Sequence, residues 1–389
     1  MKTILLGWEL GAGLGHVGPL LRIARELKRL GHRPVFVLRD VVGPQAVLAG
    51  EGFTLLQAPV WPKPMSVEGR PFRLASYGDL MAQAGYLDTE GLAALVAAWD
   101  NLIDLVRPDL IVADHSPTLC LAAYGVIPVA LVGNGYTLPP VHMAVFPPFY
   151  PDHPPLVAEG RVLETIHAVQ RRRGRRSPAT LPALLDTQVR AIACWPELDP
   201  YRRTRSEPLV GPLDPMPELL SLPDEPRIFA YLGEEYPALS LLVECLAEID
   251  ADIEAYLRGD VSALRHFLAA RGIRVHERPP PLPEVLQRAS AVVCHGGTGV
   301  VHAAMAAGRP QLIASLHVET ALTVEAVSRL GIGTYVPAGE KATVKESFEK
   351  LYTDEAMRNA AITQAHVIAR RERFDGLGAT VDACAHLLA

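Results

Sequence analysis

Twice in this chain a short run of apolar residues ends in a cluster of glycines and passes straight into a helix, and that order leaves few folds open. In the carboxyl-terminal half the segment is Ala291-Val292-Val293-Cys294-His295-Gly296-Gly297-Thr298-Gly299. Its β-branched start predicts a strand, its glycines a tight turn, and the alanine-rich stretch that follows a helix over 300–307. In the amino-terminal half a strand over 3–6 leads to the loop Gly11-Ala12-Gly13-Leu14-Gly15-His16 and a helix over 19–30. Leu20, Leu21, Ile23, Ala24, Leu27 and Leu30 fall on one side of that helix, with Arg22, Arg25, Glu26, Lys28 and Arg29 on the other. Gly31 stands where a C-terminal cap belongs, and a second strand is expected over 34–38. Strand and helix patterns alternate in both halves, so the expected fold class is α/β, with parallel sheets flanked by helices. The first domain is expected over 1–206. A linker follows over 207–226, where six prolines fall. The second domain, over 227–370, is expected to open with a strand at 227–232.

Backbone N–H groups of the 296–299 turn, at the positive end of the helix behind it, form an anion site suited to a diphosphate. His295 can add a hydrogen bond or a positive charge. The same residues also suit a structural turn with a core histidine. A further strand over 310–314 leads to His317-Val318-Glu319-Thr320 and a helix over 322–330, closed by Gly331-Ile332-Gly333. Across residues 275–336 this layout resembles the nucleotide-sugar site of the UDP-glycosyltransferase superfamily, the macrolide and plant natural-product glycosyltransferases of the GT-B fold, which implies an α/β chain of two Rossmann-like parallel-sheet domains facing a cleft. The resemblance implies that His295, Gly296, Gly297, Thr298, Gly299 and Val300 hold the donor diphosphate, and that Glu319 and Thr320 bind the sugar hydroxyls. It places Gly233, Arg278 and Pro279 near the nucleobase, and it sends the terminal helix, within 371–389, back to the first domain. Three positions depart from the family pattern. Val300 stands in place of a serine or threonine, Ala303 in place of a ribose-binding glutamate, and Thr320 in place of a glutamine. The loop Arg278-Pro279-Pro280-Pro281 also lacks the family's aromatic ring.

In the same superfamily a histidine within a pattern like G-H-x-x-P acts as general base, and His16 matches it. A neutral imidazole is suited to taking a proton from a hydroxyl near neutral pH, provided an acid fixes its tautomer. Asp114 is the expected partner, because Leu110-Ile111-Val112-Ala113-Asp114 reads as a buried strand ending in an acid. Both residues would then lie at carboxyl ends of parallel strands, where ligands bind in open α/β sheets. The alternatives are a histidine that merely caps the helix, and an aspartate serving as an N-cap or in a salt bridge. His115 is a rival base, expected to point away because neighbours on an extended chain alternate sides. Residues 13–18 also spell G-x-G-x-x-G, with Asp40 further on. The intervening Gly7-Trp8-Glu9-Leu10 makes that loop too long for a dinucleotide fingerprint, so NAD or FAD binding is set aside.

With 389 residues, 49% of them hydrophobic, the chain is long enough for two cored domains. A net charge of −6 argues against nucleic acid as a partner. No leader pattern and no apolar run of about 18 residues occurs, so a cytoplasmic protein is expected. Cys120, Cys194, Cys245, Cys294 and Cys384 form no C-x-x-C pair and are expected as reduced core residues, with no metal site. Between 60 and 200, Trp61-Pro62-Lys63-Pro64, Tyr77, Trp99, Asn134-Gly135-Tyr136, Phe146, Phe149 and Tyr150 suit either an apolar acceptor wall or plain packing. The run Arg171-Arg172-Arg173-Gly174-Arg175-Arg176 suits a solvated loop, an acidic acceptor or a peripheral membrane contact, and a homodimer is compatible with the sequence. The expected function is inverting transfer of a sugar, without metal or other cofactor, from a UDP- or dTDP-sugar to a hydroxyl of a small-molecule or lipid acceptor. A non-catalytic sugar-nucleotide binder and a nucleotide-sugar epimerase on the same fold are the alternatives.

Overall fold

The computed structural model describes residues 1–13, 15–48, 50–61, 74–219, 221, 223, 225–371 and 374–389. Leu14 of the glycine loop, Pro62, Lys63 and Pro64 of the aromatic segment, and Leu220, Leu222 and Asp224 of the expected linker lie outside them. The chain divides into two compact units, residues 1–213 with 375–389, and residues 214–374.

The first unit is built on six parallel strands: β1 (Thr3–Trp8), β2 (Arg33–Leu38), β3 (Thr54–Gln57), β4 (Leu110–Asp114), β5 (Val129–Gly133) and β6 (Val189–Ile192). Their order is β3-β2-β1-β4-β5-β6. Both faces are covered, which is why the central strands read as continuous apolar runs with no polar alternation. Leu5, Ile111, Ala113 and Leu131 face a core shared with Val96 and Trp99 of the helix Thr89–Val106 and with Leu119 of the helix Pro117–Ala123. Ile4, Leu6, Trp8 and Val112 face the opposite core, against Leu20, Ile23 and Leu27 of the helix Val17–Arg29 and Val381, Cys384 and Leu388 of the terminal helix Gly376–Leu388. β1 runs two residues beyond the expected 3–6, so Gly7 and Trp8 belong to the strand. The helix after it starts at Val17, two residues before the expected 19, because Val17 is fully buried and joins the core.

The second unit repeats the plan with β7 (Arg227–Gly233), β8 (Asp252–Arg258), β9 (Arg274–His276), β10 (Ala291–Cys294), β11 (Gln311–Ile313) and β12 (Gly333–Tyr335), ordered β12-β11-β10-β7-β8-β9. In each unit the first strand lies mid-sheet, and the chain winds outward to one edge and then to the other. The direction reverses between β1 and β4 in the first sheet and between β7 and β10 in the second. Loops leaving the carboxyl ends of those strands part there and open a crevice.

Residues 207–213 pack within the first unit: Leu213 lies in its core, and the Glu207 carboxylate accepts from Arg190 and from Val141 N, each at 3.3 Å. All five cysteines are free and buried. The arginine run is the end of the helix Glu159–Arg172 together with the turn after it. Arg173 grips Asp100 with two N–H donors and Arg172 pairs with Glu90, so two of its charges are engaged within the unit. Among the described residues no helix is long and apolar enough to cross a membrane.

Gly376 opens the terminal helix against the segment before it. A Cβ there would lie 2.6–2.9 Å from the carbonyl oxygens of Gly211, Pro212 and Val210, all backbone atoms that cannot swing aside. Gly376→Ala is expected to destabilise the first unit by about 1–3 kcal/mol in chemical denaturation, the range for overpacking a tight site. An unchanged midpoint would mean that the helix start shifts freely.

Candidate active site

At the crevice of the first sheet, strand register determines which side chains meet. Trp8 and Asp114 are register partners at the ends of β1 and β4, and both lie on the face covered by the helix Val17–Arg29. His16 is the N-cap residue of that helix, yet its side chain makes no capping bond. Its Nδ1 lies 3.0 Å from Asp114 Oδ1. A carboxylate only accepts, so Nδ1 carries a proton, and when the ring is neutral Nε2 holds the lone pair. Trp8 stacks on the imidazole, with ring centroids 5.1 Å apart and planes 19° from parallel, while its indole N–H donates to Leu10 O at 2.6 Å. On the Nε2 side lies Gly11, at φ +85°, where a Cβ would come within 2.5 Å of that nitrogen. The loop itself is fastened at several points. Leu10 N donates to His115 O, Arg39 N donates to Trp8 O, and the buried Glu9 carboxyl accepts from Thr118 N and from the Thr118 hydroxyl. Burial pushes the Glu9 carboxyl up to about 7 despite those donors.

His115 departs from expectation. Its backbone takes the left-handed conformation, φ +46°, which cancels the alternation of an extended strand. The ring therefore lies 5.9 Å from that of His16 and 5.9 Å from that of Tyr77. Burial holds its pKa well below the usual histidine range, and the charges of His16 and Arg39 push the same way. An imidazole that resists protonation is a poor base, whereas His16 has a carboxylate against its N–H. Beyond His115 the aromatic residues of the middle segment continue as ring pairs: Tyr136 with Phe149 at 5.1 Å, and Tyr77 with Phe146 at 5.2 Å. All four are buried, and Trp99 is a core residue. Tyr150 pairs with His153 at 5.3 Å, and Asn134 turns the chain after β5 by accepting from Thr137 N.

At the crevice of the second sheet, His295 follows β10 and the glycine turn feeds the helix Thr298–Ala306. Of its glycines, Gly296 holds a left-handed φ of +85° and Gly297 is the N-cap. Gly297, Thr298 and Gly299 are partly exposed at the positive end of the helix, whose first N–H groups have no partner within it. The helix begins two residues before the expected 300 and is buried nearly all round. Val300, at 7% exposure, and Ala303, at 1%, are core positions, so Val300 can offer a ligand only its backbone. His295 packs against Tyr231 of β7, with ring centroids 5.6 Å apart. Burial lowers its pKa to about 4, and the charges of Arg258 and His317 add to this against a weaker pull from the Tyr231 carbonyl. It is therefore a neutral hydrogen-bonding group near pH 7, not a positive charge.

Glu319 lies in the first turn of the helix Val318–Arg329, half-buried at the carboxyl end of β11. Thr320 is engaged at its own helix start. Its hydroxyl accepts from Leu316 N at 3.1 Å and His317 N at 3.2 Å, and lies 3.0 Å from both His317 O and Ser315 Oγ. It thereby ties down the start of the helix that carries Glu319. Gly233 closes β7, and Arg278 and Pro279 are exposed after β9. Sequence reading missed Trp8, Gly11, Tyr231 and Arg258. The parity of Trp8 with Asp114 was the available signal, once β1 is extended to residue 8.

Residues 239–371 match the family of erythromycin biosynthesis protein CIII-like C-terminal domains. An L-demethylnoviosyl transferase of Streptomyces niveus is 26% identical over 342 residues, covering 84% of this chain and 83% of the transferase. The glycosyltransferase SnogD of Streptomyces nogalater superposes with a TM-score of 0.62 at 22% identity, over 98% of this chain and 99% of SnogD. The glycosyltransferase VinC, solved in complex with dTDP, superposes with a TM-score of 0.65 at 18% identity, over 99% of this chain and all (100%) of VinC.

His302, fully buried within the helix behind the glycine turn, has its pKa lowered by burial from 6.5 to about 3. Below pH 6.5 the unfolded chain therefore takes up a proton that the folded chain refuses, so stability present above that pH is lost as the pH falls towards 3. His302→Leu removes this uptake. Its unfolding free energy relative to wild type is expected to rise steadily from about pH 7 to about pH 5 in denaturant titrations; a difference independent of pH would contradict the burial effect.

Proposed function

We propose that the chain, which has the GT-B fold, is a glycosyltransferase in the superfamily of the macrolide glycosyltransferases, and that it transfers a sugar, with inversion, from a nucleoside diphosphate sugar to a hydroxyl of a small apolar acceptor. The observation that carries this is the His16–Asp114 hydrogen bond, made by a histidine at a helix start that declines to cap its own helix. In the proposed step Nε2 of His16 takes the acceptor's hydroxyl proton. The freed oxygen attacks the anomeric carbon, the bond from that carbon to the diphosphate oxygen breaks, and the nucleoside diphosphate leaves with the electron pair. Asp114 balances the imidazolium, and Trp8 holds the ring flat. A single displacement inverts the anomeric centre.

In the second unit the amides of Gly297, Thr298 and Gly299 and the neutral His295 would receive the departing diphosphate at the helix end. Glu319 would orient the sugar hydroxyls, with Thr320 holding its helix start in place. VinC was solved with dTDP, which favours a dTDP-sugar over a UDP-sugar as donor. Tyr77, Tyr136, Phe146 and Phe149 gather on the His115 side of the base, which favours an apolar, ring-bearing acceptor. Five buried free thiols suit a reducing, cytoplasmic setting, where nucleotide sugars serve as donors.

His16→Ala is expected to lower turnover by about 10²–10⁴-fold, the usual contribution of a general base, with nucleotide affinity unchanged. Normal turnover would remove His16 from the mechanism, and NMR of the product must show an anomeric configuration opposite to the donor's. Gly11→Ala places a methyl group against Nε2 and should act in the same direction, lowering kcat while donor KM stays within about twofold. A Gly11→Ala enzyme with full kcat would show that the acceptor hydroxyl approaches from elsewhere.

A further inference from the structure

A nucleoside diphosphate brings roughly two to three negative charges to its site at neutral pH. The groups so far placed around it are short of positive charge. A helix amino terminus offers about half a unit, and His295, held neutral by burial, offers an N–H and no charge.

One guanidinium stands beside them. Arg258 is the last residue of β8 and the register partner of Gly233, the last residue of β7. β7 lies between β8 and β10, so Arg258, Gly233 and His295 stand in a row at the carboxyl ends of three adjacent strands. The Arg258 charge reaches both members of the ring pair there, disfavouring protonation of His295 and partly offsetting the burial that holds the proton on the Tyr231 hydroxyl. Its Nη2 donates to Oε1 of Glu235, two residues beyond Gly233. The backbone under the pair is fixed: Arg265 Nη2 donates to Leu257 O at 2.6 Å and Gly259 O at 3.0 Å, and Glu234 accepts from Asp260 N at 2.8 Å. The pair itself is partly open, with 23% of the Arg258 side chain and 45% of that of Glu235 accessible.

We propose that Arg258 is the counter-ion of the donor diphosphate, and that Glu235 is a resident carboxylate occupying the guanidinium until the nucleotide displaces it. This rests on the reading of the second unit as the donor site. A planar carboxylate and a tetrahedral phosphate can each turn anionic oxygens to the guanidinium N–H groups, so the exchange costs the arginine no hydrogen bond. An open ion pair of this sort contributes little to folding, which leaves the arginine available for exchange. Glu235 thus sets donor affinity by competition: it keeps the arginine extended and oriented, and it subtracts from the affinity that an unopposed arginine would give.

The test is calorimetric titration of dTDP and UDP into the full chain at fixed ionic strength, for wild type, Arg258→Gln, Glu235→Gln and the double variant. Arg258→Gln is expected to weaken binding by about tenfold or more, as loss of a charged hydrogen-bonding partner does. Glu235→Gln is expected to tighten binding, and to have no effect once Arg258 is glutamine. The proposal is overturned if Arg258→Gln binds as wild type does, or if Glu235→Gln weakens binding, which would make Glu235 itself a ligand. Should Arg258→Gln fail to fold, the sign of the Glu235→Gln effect decides alone. Wild type that binds neither nucleotide overturns the donor-site reading and this proposal with it; wild type that binds normally beside an indifferent Arg258→Gln overturns the proposal only.

Discussion

Parallel pairing of β1 with β4 is the constraint on which the first unit's chemistry depends. The two strands are far apart in sequence, and their hydrogen-bonded ladder brings Trp8 and Asp114 level at the last rung. Because partners in register share a face, both side chains emerge on the side where the helix Val17–Arg29 begins, and His16 is delivered between them. A slip of one residue along either strand would send the aspartate to the opposite core and leave the imidazole without its acid. Burial of Leu110 and Val112 on one face and Ile111 and Ala113 on the other prevents that slip. Packing and the His16–Asp114 pair are therefore specified by the same register.

The second unit uses the same reversal of strand order for a different chemical end. Its crevice is lined by groups that favour an anion without investing a buried charge: backbone N–H groups at a helix start and an imidazole kept neutral by its surroundings. Arg258, a full charge, sits at the partly accessible carboxyl end of β8, where water lowers the cost of keeping it ionised. On the proposed reading, backbone dipoles and a rim cation would hold a diphosphate without trapping it.

Much of this was legible from the residues alone, because strand, glycine and helix follow one another over short distances. The α/β class, both sheets' central strands, and the placing of His16 and Asp114 at strand ends came from apolar runs and the residues that end them. What the residues alone do not show has distinct physical causes. His115 turns towards His16 because this residue is left-handed, whereas the rule of alternation assumes an extended backbone. A turn and the helix behind it look alike in sequence, and only packing shows that the helix carrying Val300 is enclosed on nearly every side. A hydroxyl that bonds at a helix start, as that of Thr320 does, and one that faces a sugar are chemically identical in sequence. Arg258 escaped notice for another reason: its neighbours Gly233 and His295 are close only across the sheet.

The terminal helix Gly376–Leu388 completes the core of the unit that contains residue 1, although the whole second unit is encoded in between. Val381, Cys384 and Leu388 fill one side of the helix Val17–Arg29. During synthesis, the first sheet leaves the ribosome with that side still open, and it stays open while the intervening unit is translated. The second unit has no such wait, since its residues are contiguous. Vectorial folding should therefore run against the order of the genetic message, with the later domain closing before the earlier one, and the interval is when a chaperone would find an exposed apolar seam to hold.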